Sequence, residues 1–593
     1  MDKEYSGIIE RFNNAKAKRS EYTALWSTIS RYTGITFDIN YFESTETAQG
    51  SKQLDEFVED PTSAISINQF GDYLVGIMWG TGQNAFKLKP SRYVTELIDE
   101  GSVQEFYDYA TNQSLYHMNH ERAGLSGSLQ RYSYSTGAFG TAGIGSFPNQ
   151  AFKKGIDENA LIFRDYGVDN IAISEGSSGL VDYVYVKYNW TATKIVNEFC
   201  FDTGVMSDKK ISLLPKEVKD AWNSNAQKEF PLICALFPRN DFNPKLQGKK
   251  GTRYKGVWFL EDNKENIFAE DDYKDLPINV ARSIKIRGEV YGRSSATLLI
   301  SSIRALNFIL GNTIEILEKM SDPAMGMWDG SIGGDNVVDT SSRGLTVFNP
   351  SLNNGQQPMW QLYDTGDPSG VIQFLVPYLK ESITTASKVD ALLDYNSEKE
   401  MTATESLQRY AIRGKSLSGL LMQQKNELLL PLCKRSVNIL WDLGELGIDP
   451  KEERAYDIKQ RAPQRIIPNA VTQVVESGKP WYEIEFNNEL ENLTRTQYIE
   501  RLMQFANALQ IASTFDQAMV ASTDMYKWLE GMFNNLGLND PIMVGEVKFN
   551  KDKAMQQQMQ QQMMAMQAGQ AGAEIEEKTS KANKNNKEAS NVG

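Results

Sequence analysis

The sequence is poor in cysteine. Its 593 residues include three cysteines, Cys200, Cys234 and Cys433, which lie far apart and form no CxxC pair. A disulfide framework or a cysteine-rich metal site needs closely and regularly spaced cysteines. The spacing therefore favours free thiols in a reducing compartment.

The chain also lacks a basic excess. It carries 62 Lys and Arg against 76 Asp and Glu, a formal net charge of −14, and no dense basic block. Tight duplex binding requires several cationic side chains on phosphates, each releasing counterions. The balance argues against a protein that grips nucleic acid, although an acidic protein can still let DNA slide past it.

Long apolar runs and a leader pattern are missing as well. The first residues, "MDKEYSGIIERFNNAKAKRS", are charged throughout, unlike a secretory signal. The longest apolar runs, such as "ELLLPLC", are far shorter than the roughly 20 residues of a membrane helix. We expect a soluble, intracellular protein with no membrane span.

Sites for familiar chemistry are equally scarce. The only histidines, His117 and His120, lie in "HMNHE" with Glu121, and a full set of metal ligands is not evident. We predict that this stretch is a solvated helix face. The Gly-rich residues 137–145 are predicted to form a tight turn into a strand rather than a phosphate loop. Carboxylates are plentiful, which leaves an active site of Asp and Glu alone open, but no pair is singled out.

One stretch imitates a nucleotide-binding loop. Residues 414–416 read Gly-Lys-Ser, the end of a Walker A motif, but Arg409 occupies the position of its first glycine. Thr402 and Glu405 form a capping box that predicts a helix through the segment. A nucleotide-dependent enzyme stays as an alternative; loss of ATP or GTP hydrolysis in a Lys415→Ala variant would support it.

The hydrophobic pattern predicts a mixed α+β, helix-rich fold. The predicted helices are 6–34, 66–80, 91–135 and the short "TATKIVNEF", capped by Thr191 or Thr193. The predicted strands are "AFKLKP", three stretches within 159–190, "PLICALFPR", "YKGVWFLED" and, late in the chain, 480–488.

A long amphipathic helix is predicted at 292–320, capped by Ser294 or Ser295. Its apolar residues recur at three- or four-residue steps: Leu299, Ile303, Leu306, Leu310, Ile314 and Leu317. Residues 321–370, with eight Gly and four Pro, are predicted to be a loop-rich insertion with a few short strands. A second helix follows, so an antiparallel helical pair would carry a compact module at its far end.

Several stretches in this order resemble portal proteins, the head-to-tail connectors of short-tailed double-stranded DNA bacteriophages of the podovirus type. They are "AFKLKP", "GAFGTAGIGS", "TATKIVNEF", "ICALFPRND", "GEVYGRSSATLLISSIRALN", "MTATESLQRYAIRG" with "NELLLPL", and a Gln/Met-rich end. The resemblance spans most of the chain and is weakest over 321–370 and at the end.

The resemblance implies a portal fold assembled as a ring of twelve subunits at one capsid vertex, with double-stranded DNA passing through a central channel without sequence specificity. The implied partners are the terminase motor, tail adaptor proteins, and the major capsid and scaffolding proteins, with no membrane, cofactor or metal. The chain would be a structural protein and not an enzyme, located in the virion after assembly in the host cytoplasm. Another head-completion or tail adaptor protein is the alternative within the same virion class.

The resemblance also implies a division into regions. These are a wing at 1–291, a first stem helix at 292–320, a clip at 321–370, a second stem helix at 371–393, a channel loop at 394–402, a long wing helix with a return strand at 403–493, a crown at 494–560, and a Gln/Met-rich, polar and disordered tail at 561–593. The wing helix is expected to bend near Pro431, which lacks the amide for the carbonyl of residue 427.

Candidate site residues follow from these regions. The DNA-channel candidates are Lys388, Asn396, Ser397, Glu398, Lys399 and Glu400, and the partner-contact candidates in the clip are Trp328, Asp335, Arg343 and Trp360. In a ring, one channel lysine becomes a circle of charges. Solvated charges on an exposed loop are the equally weighted alternative.

Overall fold

The computed structural model describes the greater part of the chain. The described residues are 3–35, 58–80, 85–95, 100–153, 155–202, 205–243, 248–264, 266–328, 339–348, 359–362, 366–386, 419–447, 467–486 and 578–581. The chain divides into two compact units, 1–494 and 495–593. The elements named below belong to the first unit; in the second, residues 578–581 are helical.

Helices and strands alternate along the first unit. The helices are α1 Lys3–Thr33, α2 Thr62–Met78, α3 Arg92–Thr95, α4 Glu100–Asn119, α5 Leu125–Phe139, α6 Gln150–Lys153, α7 Ala192–Phe199, α8 Asp208–Leu213, α9 Lys216–Ser224, α10 Ser295–Ser321, α11 Val376–Ala386, α12 Leu430–Leu443 and α13 Asn469–Glu476. Short 3₁₀ turns occupy Glu121–Ala123 and Lys249–Gly251, and two π segments, Val371–Leu375 and Lys425–Leu429, directly precede α11 and α12.

The strands form separate small sheets. They are β1 Phe86–Pro90, β2 Thr141–Pro148, β3 Leu161–Tyr166, β4 Ile171–Glu175, β5 Val181–Thr191, β6 Phe201–Asp202, β7 Val205–Met206, β8 Glu229–Pro238, β9 Tyr254–Leu260, β10 Ile267–Tyr273, β11 Ile278–Arg282, β12 Met325–Trp328, β13 Leu345–Phe348, β14 Met359–Gln361 and β15 Tyr482–Phe486. Helices mixed with mainly antiparallel sheets confirm the predicted α+β class.

The central sheet has the order β10-β9-β8-β5-β4 and is antiparallel throughout. Successive strand side chains point to opposite faces: Tyr185 lies in the core under α1, whereas Val184 and Val186 lie in the core on the other face. The ring of Phe12 on α1 lies 5.5 Å from that of Tyr185. Because both faces are covered, the sheet is a buried scaffold.

A glycine turn joins α5 to the second sheet, whose order is β11-β2-β3. Gly140 has φ +77°, and a Cβ there would lie 2.5 Å from the carbonyl oxygen of Gly292 and 2.5 Å from the carbonyl carbon of Arg293. Only glycine fits such a left-handed position against a neighbouring backbone. The predicted tight turn into a strand is therefore confirmed. Its Gly140 packs directly against the backbone of residues 292–294, which lead into α10.

The end of the first unit returns to its beginning. Strand β15 pairs antiparallel with β1, placing Phe486 opposite Phe86. The same core contains Leu432, Cys433 and Val437 of α12. The predicted late strand is thus confirmed, and it shares one hydrophobic core with β1 and α12.

Most of the element predictions agree with the structure, with shifted ends. The predicted helix 91–135 contains α3, α4 and most of α5; residues 120–124 separate α4 from α5, and Gly124 has φ +72°. Thr191, rather than Thr193, caps α7 by accepting a hydrogen bond from the amide of Lys194. All three cysteines are buried and unpaired.

Candidate assembly surface and helix joint

The helix pair α10 and α11 begins at a strong cap. The hydroxyl of Ser294 accepts a hydrogen bond from the amide of Thr297 at 3.0 Å, and the Thr297 hydroxyl accepts one from the Ser294 amide at 3.4 Å. This is a reciprocal capping box. The Ser294 hydroxyl also donates to the carbonyl of Ala138 at 2.6 Å, which ties the start of α10 to the end of α5.

The predicted apolar stripe of α10 is buried along its first half alone. Leu299, Ile303 and Leu306 pack with Val376 and Ile383 of α11. Farther along, Leu310 is partly buried, and the last two stripe residues are exposed, Ile314 by 44% and Leu317 by 47%. Regular spacing identified the face of the helix, but not how far a neighbour covers it.

The helix pair presents an unusual amount of apolar surface. Of the eighteen large hydrophobic residues that are exposed among the described residues, ten belong to α10, the π segment 371–375 and the start of α11. These ten, named here the apolar face, are Leu298, Phe308, Ile314, Leu317, Met320, Val371, Ile372, Phe374, Leu375 and Tyr378. Within α10 they lie on more than one side of the helix, since Ile314 and Leu317 continue the apolar stripe and Phe308 does not. Exposed apolar residues in this number favour contact with other chains.

The apolar face contains site residues that sequence reasoning missed. Phe308 is 70% exposed, Phe374 75% and Tyr378 66%. Phe308 falls outside the predicted stripe, and that mismatch was the available signal. A large aromatic residue on the polar side of an amphipathic helix points away from the packed side of that helix, and the described residues leave most of Phe308 uncovered.

A buried clasp fastens the helix pair to the body. The side-chain oxygen of Asn307 on α10 accepts the amides of Glu59 at 2.9 Å and Asp60 at 3.1 Å. The Asp60 carboxylate binds Lys380 on α11 at 2.5 Å and accepts the amide of Thr62 at 2.8 Å. Burial alone would raise the pKa of Asp60, but the bonds to Lys380 and Thr62 outweigh it and hold the pKa below the ordinary value.

A second buried cluster holds the long helix that follows. Arg282, at the end of β11, is fully buried. Glu427 in the π segment 425–429 accepts from the Arg282 amide at 3.0 Å, from Nε at 3.2 Å and from a terminal guanidinium nitrogen at 2.5 Å. The guanidinium also pairs with Glu175 and donates to the carbonyl of Gly179 at 3.0 Å.

The cluster satisfies a fully buried charge. Burial alone would lower the pKa of Arg282, but the hydrogen bonds and charges of Glu427 and Glu175 raise it above its ordinary value. Gln424, one turn earlier, donates to the Arg282 carbonyl at 3.1 Å and accepts the hydroxyl of Tyr132. Side chains of the helix therefore bind both backbone groups of Arg282.

The long predicted helix 403–443 is described from residue 419, and it is not uniform. It passes into π geometry over Lys425–Leu429, where the amide of Leu430 bonds to the carbonyl of Lys425. Pro431 then lies in the first turn of α12. The π segment directly before Pro431 is a feature that the sequence did not predict, and the bend near Pro431 stays a prediction. Residues 402–416, with the Gly-Lys-Ser stretch, lie outside the described residues.

The predicted clip contains a three-stranded sheet of order β13-β12-β14. Trp328 lies at the end of β12 opposite Phe348, and Trp360 lies in β14 opposite Gly326. Arg343 precedes β13 with φ 62° and binds Asp322 at 2.8 Å.

The structure brings these three candidates into one small module. Asp335 lies outside the described residues, as do all the channel candidates: Lys388, Asn396, Ser397, Glu398, Lys399 and Glu400.

The prediction for "HMNHE" was wrong at its first histidine. His117 is 2% exposed, its Nε2 lies 3.7 Å from a carboxylate oxygen of Glu445, and its Nδ1 accepts the amide of Ala160 at 3.4 Å. His120 instead caps the following 3₁₀ turn by accepting the Arg122 amide. The two imidazoles thus accept hydrogen bonds from different backbone amides.

The described residues offer little space for a small ligand. No group of three His, Cys, Asp or Glu suited to a metal occurs in the described part of the chain. One internal cavity, between Phe70, Gly137 and Leu420, has a volume of about 10 Å³. That volume holds at most one water molecule.

Helix α10 differs from the expectation that no segment could span a membrane. Among the described residues, Ser295–Ser321 is long and apolar enough to do so, and 28% of its most apolar window is buried. Uninterrupted runs were the wrong measure here, because serines and threonines divide its apolar residues without adding charge. The exposed large hydrophobic residues of α10 are part of the apolar face defined above.

Comparisons with known proteins agree with the resemblance. The sequence model of a family described as "Bacteriophage head to tail connecting protein" matches residues 6–543. A protein of Bordetella phage BPP-1 named "Probable portal protein" is 21% identical over 558 residues, covering 93% of this chain and 91% of its own length.

Two solved structures are also similar to the chain. A chain in a structure titled "Neck of empty GTA particle computed with C6 symmetry" has a TM-score of 0.28 and 12% identity, covering 72% of this chain and 92% of its own. A chain in "Virion of native gene transfer agent (GTA) particle" has a TM-score of 0.26 and 12% identity, covering 71% and 94%.

The family match extends over nearly the whole sequence and includes both the helix pair and the module it carries. Its description is that of a structural component of a phage particle, in agreement with the prediction that the chain is not an enzyme. The chain belongs to the family of bacteriophage head-to-tail connecting proteins, the portal proteins.

Proposed function

We propose that twelve copies of this chain form a ring at one capsid vertex, through which double-stranded DNA enters during packaging and leaves during ejection. The ring binds the terminase motor during filling and tail adaptor proteins afterwards, and it contacts the major capsid and scaffolding proteins. The protein resides at the portal vertex of the virion and assembles in the host cytoplasm. The single observation that supports a ring is the apolar face, because exposed apolar residues are stabilised when a neighbouring copy buries them.

The apolar face supports contact between copies because of its composition and its place. Its ten residues follow one elongated feature, the helix pair, and the clasp at Asp60 fixes that pair to the body. Fully burying one large apolar side chain contributes about 1.5–3 kcal/mol. In a closed ring of twelve the contacts are head-to-tail, so apolar residues of one subunit would pack against a different surface of the next subunit.

In this proposal the helix pair is the stem, α10 and α11 being its first and second helices, and the three-stranded module is the clip. Residues 1–291 and 403–493 form the wing, 494–560 the crown, and 561–593 a polar tail. Trp328, Asp335, Arg343 and Trp360 are the proposed contacts for the motor and the tail.

The proposed channel is governed by charge. Twelve copies at −14 each carry about −168, which repels phosphates and discourages adhesion of DNA to the ring. Lys388 and Lys399 would form circles of weak phosphate contacts, offset by Glu398 and Glu400 and flanked by Asn396 and Ser397, the remaining channel candidates.

Imaging of the purified full chain tests this proposal. We expect negative-stain rings with a central hole for the wild type. A Phe308→Asp, Phe374→Asp double variant should yield few rings, because two charges would enter the apolar contact. Phe242→Asp is the matched control, since Phe242 is 40% exposed but lies outside the helix pair.

Two results would contradict the proposal. Wild-type monomers or compact dimers would argue against a ring. Rings in undiminished yield from the double variant would show that the apolar face is not the contact between copies.

A further inference from the structure

The π segment 425–429 inserts one extra residue into a helix whose later part is firmly fixed. Leu430 donates to the carbonyl five residues back, whereas an α-helix uses the carbonyl four back. In α12, Arg435 donates to the carbonyls of Ser146 at 2.9 Å and Asp275 at 2.8 Å. The extra residue therefore lies next to an immobile end, and isolated π turns of this kind are rare and frequent at functional sites.

One charged contact specifies the present register. Glu427 is the middle residue of the π segment and binds the backbone amide and the guanidinium of Arg282. If the extra residue were absorbed into α geometry while α12 stayed in place, each residue before it would move one helix position away from α12 and rotate by about 100° around the helix axis. Each position would then be occupied by the next residue in the sequence. Glu427 would then leave Arg282, which would keep Glu175 and the Gly179 carbonyl.

The sequence before the π segment matches such an advance in part. Leu421 is 3% exposed, and the residue that would take its place, Met422, is also apolar. Gln424 donates to the Arg282 carbonyl and accepts the hydroxyl of Tyr132; its replacement, Lys425, could supply the donor but not the acceptor. Glu427 would also lose its contact, because its replacement would be Leu428.

We propose that Lys425–Leu429 is a register-shifting joint, locked by the pairing of Glu427 with Arg282, that lets residues 419–424 advance by one position while α12 stays fixed. The shift would replace Leu421 by another apolar residue, break the hydrogen bond from Tyr132 to Gln424, and break the charged contact of Glu427 with Arg282. The side chain that specifies the register, Glu427, is buried from solvent.

A second π segment supports the idea of paired joints. Val371–Leu375 precedes α11, and the amide of Val376 bonds to the carbonyl of Val371. The two π segments lie on either side of residues 387–418. The first contains no buried residue, whereas Leu428 and Leu429 in the second are fully buried. One joint is thus open to solvent and the other is locked.

The use of the joint rests on the proposed function. Residues 387–418 include the proposed channel loop. If passing DNA displaced that loop, a one-residue advance would transmit the displacement along the helix to Arg282 and so to the β-sheets of the body. The shift itself can be tested in the purified protein without DNA, and ring imaging tests the proposed function separately.

Hydrogen–deuterium exchange of the full chain tests the joint. Glu427→Gln should raise exchange over 419–430 by about tenfold or more, the effect of losing one charge-assisted hydrogen bond, and leave 433–443 unchanged. Deleting Asn426 removes the extra residue, so the increase should disappear when this deletion is combined with Glu427→Gln.

Matched variants separate a shift from general weakening. Glu261→Gln removes another buried carboxylate, which binds Lys187 at 2.8 Å, and should not change exchange over 419–430 selectively. If Glu427→Gln does not fold, Glu427→Asp provides a milder loosening with the same expected pattern. Equal increases before and after the joint, no increase, or an increase that survives the Asn426 deletion would overturn the proposal.

Discussion

The clasp at Asp60 makes a prediction whose size and pH dependence both follow from the structure. In Asp60→Asn, the side chain keeps its shape and its bond to the Thr62 amide, but it loses the charge that binds Lys380. A hydrogen bond to a charged group contributes about 1.5–3 kcal/mol. Because Lys380 is 43% exposed, water can solvate the ammonium that is left, so we expect a loss of about 1.5 kcal/mol.

The readout should be local. A chain of 593 residues does not unfold in one step, whereas α11 can separate from the body alone. Since about 1.4 kcal/mol corresponds to a factor of ten, amide exchange in 376–386 should rise about tenfold in Asp60→Asn. The control is Glu315→Gln on α10, which removes a surface pair with Lys319 that contributes at most about 0.5 kcal/mol.

The pH dependence provides a second check of sign. The folded pKa of Asp60 is depressed, so its stabilisation is complete above the unfolded value of about 3.9. It is lost as the pH falls through the folded pKa. The wild type and Asp60→Asn should therefore converge in acid and differ at neutral pH. Equal exchange at pH 7, or a difference that persists in strong acid, would refute the reasoning.

Two further predictions concern the body. Gly140→Ala should lower the free energy of unfolding by at least about 2 kcal/mol, because it combines a positive φ with a backbone clash. Calorimetry should show a lower melting temperature for this variant. The control Gly7→Ala, with open space around the residue, should show no such decrease. Glu261→Gln should lower the free energy of unfolding by about 1.5–3 kcal/mol, because it removes a hydrogen bond between two charged groups, the Glu261 carboxylate and the fully buried ammonium of Lys187. Chemical denaturation followed by tryptophan fluorescence checks this, and a change within 1 kcal/mol would contradict it.

Sequence patterns predicted the local elements well because their causes are local. The cap at Ser294 and the cap at Thr191 each depend on an amide three residues away. The face of α10 that meets α11 follows from steps of three and four residues. The glycine turn at 140 was readable because no other residue suits the turn.

The same patterns failed where a distant neighbour decides. His117 looked solvated among polar residues, but Glu445 and the amide of Ala160 enclose it. Ile314 and Leu317 continued a regular stripe, yet the described body leaves nearly half of each residue exposed. Phe308 had no place in the stripe at all.

The sequence by itself determined the α+β class, most of the elements and the family, because periodicity, caps and ordered motifs are written within short stretches of chain. Only the tertiary structure decided the register of the long helix, since that choice depends on Arg282 meeting Glu427 across 145 residues. It alone also decided which apolar residues remain uncovered. Burial and pairing are properties of what packs against a residue, and a sequence pattern does not record them.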